Sequence, residues 1–418
     1  MRKLEKSVSA FLLPRSHPLR TRWGLGGLRI AFFSWETKNS IPVGGVAAVV
    51  TQLSEALAVL GHEVHVFTRI SEGKLEHEKI NGVYEHRCVT PACEDFIEYM
   101  DHFCDSAVSC FHWAERTYGR FDIIHSHDWH TVNAAANLKH MSGRRFVWTC
   151  HSTEYGRNGN AHHDNWWTGR ITHREWLGGY LSSAVTTVSH AMRQELSNEY
   201  RIPWDKMNVI YNGIDLSRFG GFVDAGRVKE KYHIHPLAPV IFFIGRLTHQ
   251  KGPDLLLEAV PYVLARRPDA KFIFAGSGDM TGHIHGRGRY LGVEHSLRVL
   301  GYISDEERVR LFKACDIVCV PSRNEPFGIV TLEGWAAGKP VVACDTGGPG
   351  EIIDNFRTGV KVYQTPESIA WGINYLLGDD GTGIRQMGAN AKKEVEKYDW
   401  KEIAKQYLKV YEKVASLS

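Results

Sequence analysis

The sequence predicts an α/β protein built from two successive parallel-sheet units. Short apolar runs rich in β-branched residues alternate with longer segments that repeat apolar residues at helical spacing. This alternation starts again in the second half, and in both halves the predicted strands end in loops that contain glycine. The chain has 418 residues, which is enough for two or three domains.

The composition indicates a globular protein and restricts the classes of partner that it is expected to bind. The hydrophobic fraction of 43% is ample for a core, and the net charge of +3 argues against a general nucleic-acid-binding surface. No apolar run approaches the roughly 20 residues that a membrane-spanning helix needs. The eight cysteines form no C-x-x-C pair, which favours reduced thiols in a cytoplasmic protein.

Residues 1–27 carry six basic side chains around the short apolar patch Phe11-Leu12-Leu13. The patch is too short for a signal peptide, and no A-x-A cleavage site follows it. We therefore expect a disordered basic extension. Peripheral contact with an anionic lipid surface is the alternative.

The first half opens with a βαβ unit. The pattern predicts a strand at Leu28–Ser34, a helix at Val46–Leu60 and a strand at Glu63–Thr68. Gly44 and Gly45 directly precede the helix, where backbone amides can approach a phosphate closely. No G-x-G-x-x-G fingerprint follows the first strand, so this is not a dinucleotide-binding motif.

Two later strands end in histidine. One runs into His127-Asp128-Trp129-His130, and the next ends at His151. Because the carboxyl ends of parallel strands form the ligand-binding edge, one of these histidines is a candidate donor to a substrate hydroxyl. The alternative is that they are buried structural histidines.

Residues 152–173 are expected to form a long functional loop. It is rich in histidine, but the histidines lack regular ligand spacing, so we predict no metal there. Two adjacent tryptophans offer either a flat face for a sugar or a packing surface. The side chains concerned are His162, His163, Asp164, Trp166, Trp167 and His173.

The periodic pattern lapses across residues 212–236, and we place a domain boundary there. A new strand at Val240–Gly245 is followed by a loop with Arg246 and Lys251, and then by a helix from Asp254. A planar guanidinium and a mobile ammonium beside a helix N-terminus suit a diphosphate. Ordinary surface cations are the alternative.

Two carboxylates stand eight positions apart in a second strand–loop–helix unit. The strand Asp316–Val320 leads into a Pro-Gly loop that contains Glu325, and Glu333 lies in the helix Val330–Ala337. Each carboxylate reaches one fixed point of a ligand at the carboxyl edge of the sheet.

Six motifs now occur in order: V-G-G, H-D-W-H, Y-N-G-I-D, G-R-L-T-x-Q-K-G, E-P-F-G-I-V-x-L-E and G-G-x-x-E-I-I. Together they resemble the retaining GT-B glycosyltransferases of family GT4, to which glycogen and starch synthases are related. The resemblance covers about residues 28–416. The segment from His151 to Arg157 is similar to that of archaeal-type members.

The resemblance implies two Rossmann-like domains that face a central cleft. Residues 28–212 would form the acceptor-side domain, with a carboxyl-terminal helix in 399–418 packing back on it. Residues 213–398 would form the nucleotide-sugar-binding domain.

The resemblance also implies the roles of single residues. Arg246 and Lys251 match the residues that hold the diphosphate, Glu333 matches the acid that binds the ribose, and Glu325 matches the acid beside the donor sugar. His127 matches the histidine near the C6 hydroxyl of that sugar. The remaining donor-binding positions are Gly44, Gly45, Phe327, Gly328 and Ile329.

The implied activity is transfer of a hexose, with glucose from UDP-glucose as the first expectation, to a sugar, glucan or other hydroxyl acceptor with retention of configuration. No metal or other cofactor is expected to be obligatory. Glycogen synthases that use ADP-glucose carry a lysine where this chain has Pro42, which argues against that donor. A nucleotide-sugar epimerase and a non-catalytic nucleotide-sugar-binding protein are the alternatives.

Overall fold

The computed structural model describes residues 27–42, 44–378 and 381–417. The predicted basic extension lies, apart from Gly27, outside this part of the chain. Within the described residues, no helix is both long enough and apolar enough to cross a bilayer.

The first half forms a sheet of eight strands with the order β3-β4-β2-β1-β5-β6-β7-β8. The neighbours pair in parallel except β3 and β4, which are antiparallel. The strands are β1 Arg29–Phe33, β2 Glu63–Arg69, β3 His77–Ile80, β4 Val83–Cys88, β5 Ile123–His127, β6 Phe146–Cys150, β7 Ala184–Thr187 and β8 Met207–Val209. The helices are α1 Gly44–Val59, α2 Phe96–Tyr118, α3 Val132–Ser142, α4 Glu154–Arg157, α5 Trp166–Leu181 and α6 His190–Tyr200.

The second half forms a parallel sheet of six strands with the order β11-β10-β9-β12-β13-β14. The strands are β9 Val240–Ile244, β10 Lys271–Ala275, β11 Leu297–Gly301, β12 Ile317–Val320, β13 Val341–Cys344 and β14 Gly359–Val362. The helices are α7 Ala225–Lys231, α8 Pro253–Leu264, α9 Thr281–Tyr290, α10 Asp305–Ala314, α11 Ile329–Ala336, α12 Gly347–Ile352, α13 Pro366–Leu377, α14 Thr382–Glu394 and α15 Trp400–Ser416. The prediction of two parallel-sheet α/β units is confirmed.

The local sequence explains these elements. The strand β9 is a run of five apolar residues, and the first four are buried, as expected for a strand covered on both faces of its sheet. The helix α2 begins where the Asp95 side chain accepts the amide of Glu98, and Gly119 ends it with a positive φ of 97°.

The carboxyl edges of the two sheets lie against each other. Asn324, which follows β12, donates its side-chain amide to the Asn160 side chain, which follows β6, at 2.7 Å. The carboxylate of Glu351 in α12 accepts the His190 amide at the start of α6 at 2.9 Å. Loops that follow strands in both halves therefore border one shared space, which is where parallel sheets bind ligands.

The last helix, α15, crosses back to the first sheet. It buries Trp400 and Tyr407 in one cluster with Val49 and Leu53 of α1. The hydroxyl of Tyr411 lies 2.8 Å from Nδ1 of the buried His125 in β5.

One local prediction was wrong, and the edge strand β3 was not predicted. The edge strand β3 was missed because the sequence His-Glu-Lys-Ile lacks the apolar alternation that marks a strand. Residues 152–173 do not form one long loop, since α4 and the start of α5 lie within them. The side chain of Asn165 caps α5 by accepting the amide of Thr168.

Candidate active site

The predicted site residues lie where the order of strands reverses in each sheet. In the second sheet the chain runs outward from β9 to β11 and returns to β12 on the other side of β9, and in the first it makes the same reversal between β1 and β5. Such switch points open a crevice at the carboxyl edge. Gly44 and Gly45 follow β1, His127 ends β5, and the loops after β9 and β12 carry Lys251 and Glu325.

Lys251 and Glu325 form an ion pair at the second switch point. The ammonium of Lys251 lies 2.9 and 2.8 Å from the two carboxylate oxygens of Glu325. Ser322 donates its hydroxyl to one of the same oxygens at 2.9 Å. The side chains of Lys251 and Glu325 are 21% and 11% exposed, so the pair is largely buried but still accessible to a ligand.

Arg246 reaches the same loops through a glutamine. Its guanidinium donates to the Gln250 side chain at 3.1 Å, and the carbonyl of Gln250 accepts the Arg323 amide at 2.9 Å. Arg246 is exposed, in contrast to Lys251. The structure therefore presents one guanidinium that forms no ion pair among the described residues and one ammonium that is already paired with a carboxylate.

The loop from Glu325 to Gly328 is fixed by α12. The amide of Gly348 donates to the carbonyl of Glu325 at 3.0 Å. A Cβ atom on Gly348 would lie 2.1 Å from the carbonyl oxygen of Phe327, so only glycine permits this approach. Gly328 begins α11 with a φ of 83° and provides no side-chain cap, which leaves the first amides of α11, from Ile329 onward, without a side-chain acceptor.

Glu333 has an ion-pair partner that the sequence did not reveal. Arg308 of α10 donates from Nε at 2.7 Å to one oxygen of Glu333 and from Nη2 to the other. This fork geometry fixes the plane of the carboxylate. Glu333 is 5% exposed, and a carboxylate held this way keeps lone pairs for further hydroxyl donors.

His127 is buried at the end of β5. Its Nδ1 lies 3.0 Å from Nε2 of His151. Burial, with the neighbouring His125 and His151, holds the pKa of His127 well below its usual range, so the ring is neutral. Its Nε2 has no hydrogen-bond partner among the described residues. A buried ring nitrogen of this kind is available to a ligand.

The glycine pair that begins α1 lies between the two halves. Gly44 has a φ of 82°, and a Cβ atom there would lie 3.1 Å from a carboxylate oxygen of Glu36. A Cβ atom on Gly45 would lie 3.5 Å from Ile329. Glu36 also accepts the amide of Ala47 at 3.2 Å. The pKa of Glu36 is raised to about 7, mainly by burial and also by Asp128, while the Ala47 amide and the cations Arg69 and Arg246 oppose the rise.

The structure thus brings together Lys251 with Glu325, and Gly45 with Ile329. Within the described ranges, no hydrogen bond or ring contact of His127 reaches the second half. A ligand that contacts both His127 and the Lys251–Glu325 pair must therefore bridge the space between the two sheets.

The histidine-rich segment does not assemble a metal centre among the described residues. His162 instead pairs with Glu199 at 2.9 Å. Trp166 is exposed with Arg170 over its ring at 5.0 Å, whereas Trp167 stacks on Phe96 with 5.5 Å between ring centroids.

Comparison with known proteins now decides the family. Residues 43–218 match the model described as Glycosyltransferase Family 4, and residues 226–394 match the model described as Glycosyl transferases group 1. An uncharacterized glycosyltransferase of Methanocaldococcus jannaschii is 39% identical, with the alignment covering 92% of this chain and 98% of the relative. This chain belongs to the family 4 glycosyltransferases.

Two more relatives of this glycosyltransferase extend the comparison. The glycogen synthase of Mycobacterium tuberculosis is 28% identical over 92% of this chain and 94% of its own length. The crystal structure of the Anabaena protein HepE in complex with UDP-glucose superposes with a TM-score of 0.75 at 19% identity, covering 92% of this chain and 99% of that one. The latter likeness establishes the GT-B fold.

Two functional candidates in this glycosyltransferase escaped the sequence analysis. Glu36 follows the first strand, and the rule that ligand sites gather at carboxyl ends is a signal that could have identified it. Arg308 gives no such signal, because α10 and α11 meet only in the folded chain.

Replacing Glu36 with Gln keeps an oxygen for the Ala47 amide and removes the charge. Since the pKa of Glu36 rises from 4.5 to about 7 on folding, stability falls as the pH rises through this interval. One pKa unit is about 1.4 kcal/mol, so the ionised carboxylate costs up to roughly 3 kcal/mol. Thermal melts should show Glu36→Gln more stable than the parent at pH 8 and similar at pH 5. The exposed pair member Glu402 is the control: Glu402→Gln should not show this crossover, and a parallel response of both variants would contradict the account.

Replacing Arg308 with Ala removes the fork that orients Glu333. If Glu333 binds the donor in the ground state, the donor KM should rise roughly tenfold or more with little change in kcat, as expected for loss of a charged hydrogen bond. Arg310→Ala on the same helix breaks a pair with the exposed Glu306 and a longer one, at 3.9 Å, with Glu307, and leaves Glu333 untouched, so it is the matched control. A fall in kcat at unchanged KM would contradict this role.

Proposed function

We propose that the chain is a retaining hexosyltransferase that moves glucose from UDP-glucose to a sugar or other hydroxyl acceptor. The observation that carries the proposal is the Lys251–Glu325 pair beside Arg246 at the switch point of the second sheet. The UDP-glucose complex of the similarly folded HepE supports the donor. The free thiols of all eight cysteines are consistent with a cytoplasmic location.

The proposed chemistry is electrostatic. Breaking the glycosidic bond of a nucleoside diphosphate sugar leaves negative charge on the diphosphate, and fixed cations stabilise that charge as it develops. Lys251 would turn from Glu325 toward the diphosphate, where Arg246 adds a planar donor set. On this proposal no metal is obligatory for the transfer.

Releasing Lys251 would leave Glu325 negatively charged at the reacting carbon. A carboxylate there stabilises an oxocarbenium-like transition state, as in glycoside chemistry. The neutral ring of His127 would donate from Nε2 to a sugar hydroxyl, and the backbone amides at the start of α11, which have no side-chain cap, would face the other hydroxyls. Gly44 and Gly45 would let the backbone approach the phosphates.

The two halves would bind different substrates. Residues 213–398 would hold the nucleotide sugar, with Glu333 on the ribose, and residues 28–212 would receive the acceptor. Glu36, next to Gly44 on the acceptor side, faces the same space. The acceptor is assigned only as a hydroxyl compound.

Glu325→Ala tests the proposal directly. With the carboxylate gone, donor turnover, followed as release of UDP from UDP-glucose, should fall about a hundredfold or more. Calorimetric affinity for UDP should persist or increase, since Lys251 no longer has a competing partner. Loss of turnover with binding kept identifies an enzyme rather than a binding protein.

The control for this test is Asp345→Ala. Asp345 lies in the loop after the neighbouring strand β13, is exposed, and pairs with Lys361 at 3.3 Å. Its turnover should match that of the parent. If Glu325→Ala also retained full turnover, the assignment of Glu325 and the proposed transfer chemistry would both fail.

A further inference from the structure

A second cluster of reactive side chains lies at the outer edge of the first sheet, apart from the proposed donor site. His77 of β3 stands directly opposite His86 of β4 in the antiparallel register. Their Nδ1 atoms are 3.1 Å apart. Cys110 of α2 completes the group, and the potential ligand atoms of the three residues lie within 4.8 Å of one another.

A chain of hydrogen bonds fixes the tautomer of His86. Glu63 is a carboxylate paired with Arg29, so it only accepts, and Nε2 of the buried His65 must donate to it at 3.1 Å. The Nδ1 of His65 then has a lone pair, which accepts the Nε2–H of His86 at 2.8 Å. The Nδ1 of His86 is left with a lone pair directed at the cluster.

Such an arrangement is the usual support of a metal-binding histidine. A ligating imidazole donates its other ring N–H to a partner that holds its tautomer and orientation, and that partner is in turn hydrogen-bonded. Here His65 holds the ring of His86, and Glu63 in turn holds the ring of His65. A pair of structural histidines in a hydrophobic sheet edge does not require this chain.

The other two ligands are also positioned. The ring of His77 stacks on Trp113 with 4.1 Å between centroids and 6° between planes. The thiol of Cys110 lies near the buried Cys88, whose own thiol donates to the carbonyl of His86 at 3.7 Å. The cluster opens onto a surface pocket whose lining includes Glu76 and Asp105, so a cation has a path from solvent.

We propose that His77, His86 and Cys110 bind a zinc ion. Two imidazoles and one thiolate are a soft ligand set typical of Zn²⁺, and Zn–N bonds of about 2.0–2.1 Å place two nitrogens about 3.3 Å apart around a tetrahedral ion. That separation is close to the 3.1 Å between the two Nδ1 atoms. Water takes the fourth position.

The ion would tie the edge hairpin of β3 and β4 to α2. Among the described strands, β3 pairs with β4 alone, and an edge strand leaves backbone groups unpaired, which proteins commonly protect. The site is therefore structural, and its occupancy is independent of the sugar nucleotide.

The test uses the full chain without a polyhistidine tag, stripped by chelator under reducing conditions. Zinc is then added and the bound metal counted by mass spectrometry, with Co²⁺ as a second probe. We expect one Zn²⁺ per chain and, with Co²⁺, a thiolate charge-transfer absorption. His77→Ala should weaken Zn²⁺ binding at least about tenfold, and Cys110→Ser should remove the charge-transfer absorption.

Two matched variants change the same residue types elsewhere. His163→Ala alters an exposed histidine of the histidine-rich segment, and Cys93→Ser alters a half-exposed thiol that contacts Glu98. Both should bind zinc like the parent. Because His77 is exposed, His77→Ala is expected to fold, which circular dichroism checks.

Three results would overturn the proposal. The reduced chain could bind no stoichiometric zinc, binding could survive both His77→Ala and Cys110→Ser, or His163→Ala could abolish it. A Cys88–Cys110 disulfide in a chain that binds no zinc after reduction would assign the cluster to thiol oxidation instead.

Discussion

The pairing of β9 with β12 is the constraint on which the site depends. These strands are neighbours in space but are separated in sequence by β10 and β11, so the loops that follow them meet at a switch point. Lys251 comes from one loop and Glu325 from the other. A parallel sheet sends both loops to the same edge, and the ion pair is the direct consequence. The pairing of β1 with β5 does the same for Gly44 and His127.

Charge in the unliganded site is balanced by pairs that a substrate would rearrange. Glu325 is neutralised by Lys251, and Glu333 is held by Arg308. Removing one partner of a largely buried pair leaves an uncompensated charge, which is costly. On the proposed function, a diphosphate would avoid this cost because it would offer Lys251 a new anion while Glu325 would face a developing cation. The pair would then act as a preorganised exchange site rather than as a source of stability.

Most of the fold could be predicted from the sequence because buried parallel strands appear in it as apolar runs. The predicted strand at Val240–Gly245 contains β9, and that at Asp316–Val320 contains β12. The edge strand β3 escaped because a half-solvated strand with His77 and Glu78 lacks such a run.

The candidate site was predictable only where a motif is local. The grouping of Arg246 with Lys251 was visible as a short spacing, and so was that of Glu325 with Glu333. The partners Arg308 and Glu36 lie on other elements, and the zinc cluster joins β3, β4 and α2, so no spacing reveals them. The domain boundary near residue 212 and the roles of the site residues stay predictions.

The most direct test of the central claim is the thermal melt of the full chain with and without UDP-glucose, in chelator and in Mn²⁺. Each shift is read as a difference within one buffer, because chelator also strips the proposed zinc site. Donor at about 100 times its dissociation constant should stabilise by about 2.7 kcal/mol, a shift of several degrees, in chelator as well as in Mn²⁺. A shift that requires Mn²⁺, or the absence of any shift with UDP-glucose, would contradict binding of the diphosphate by Arg246 and Lys251.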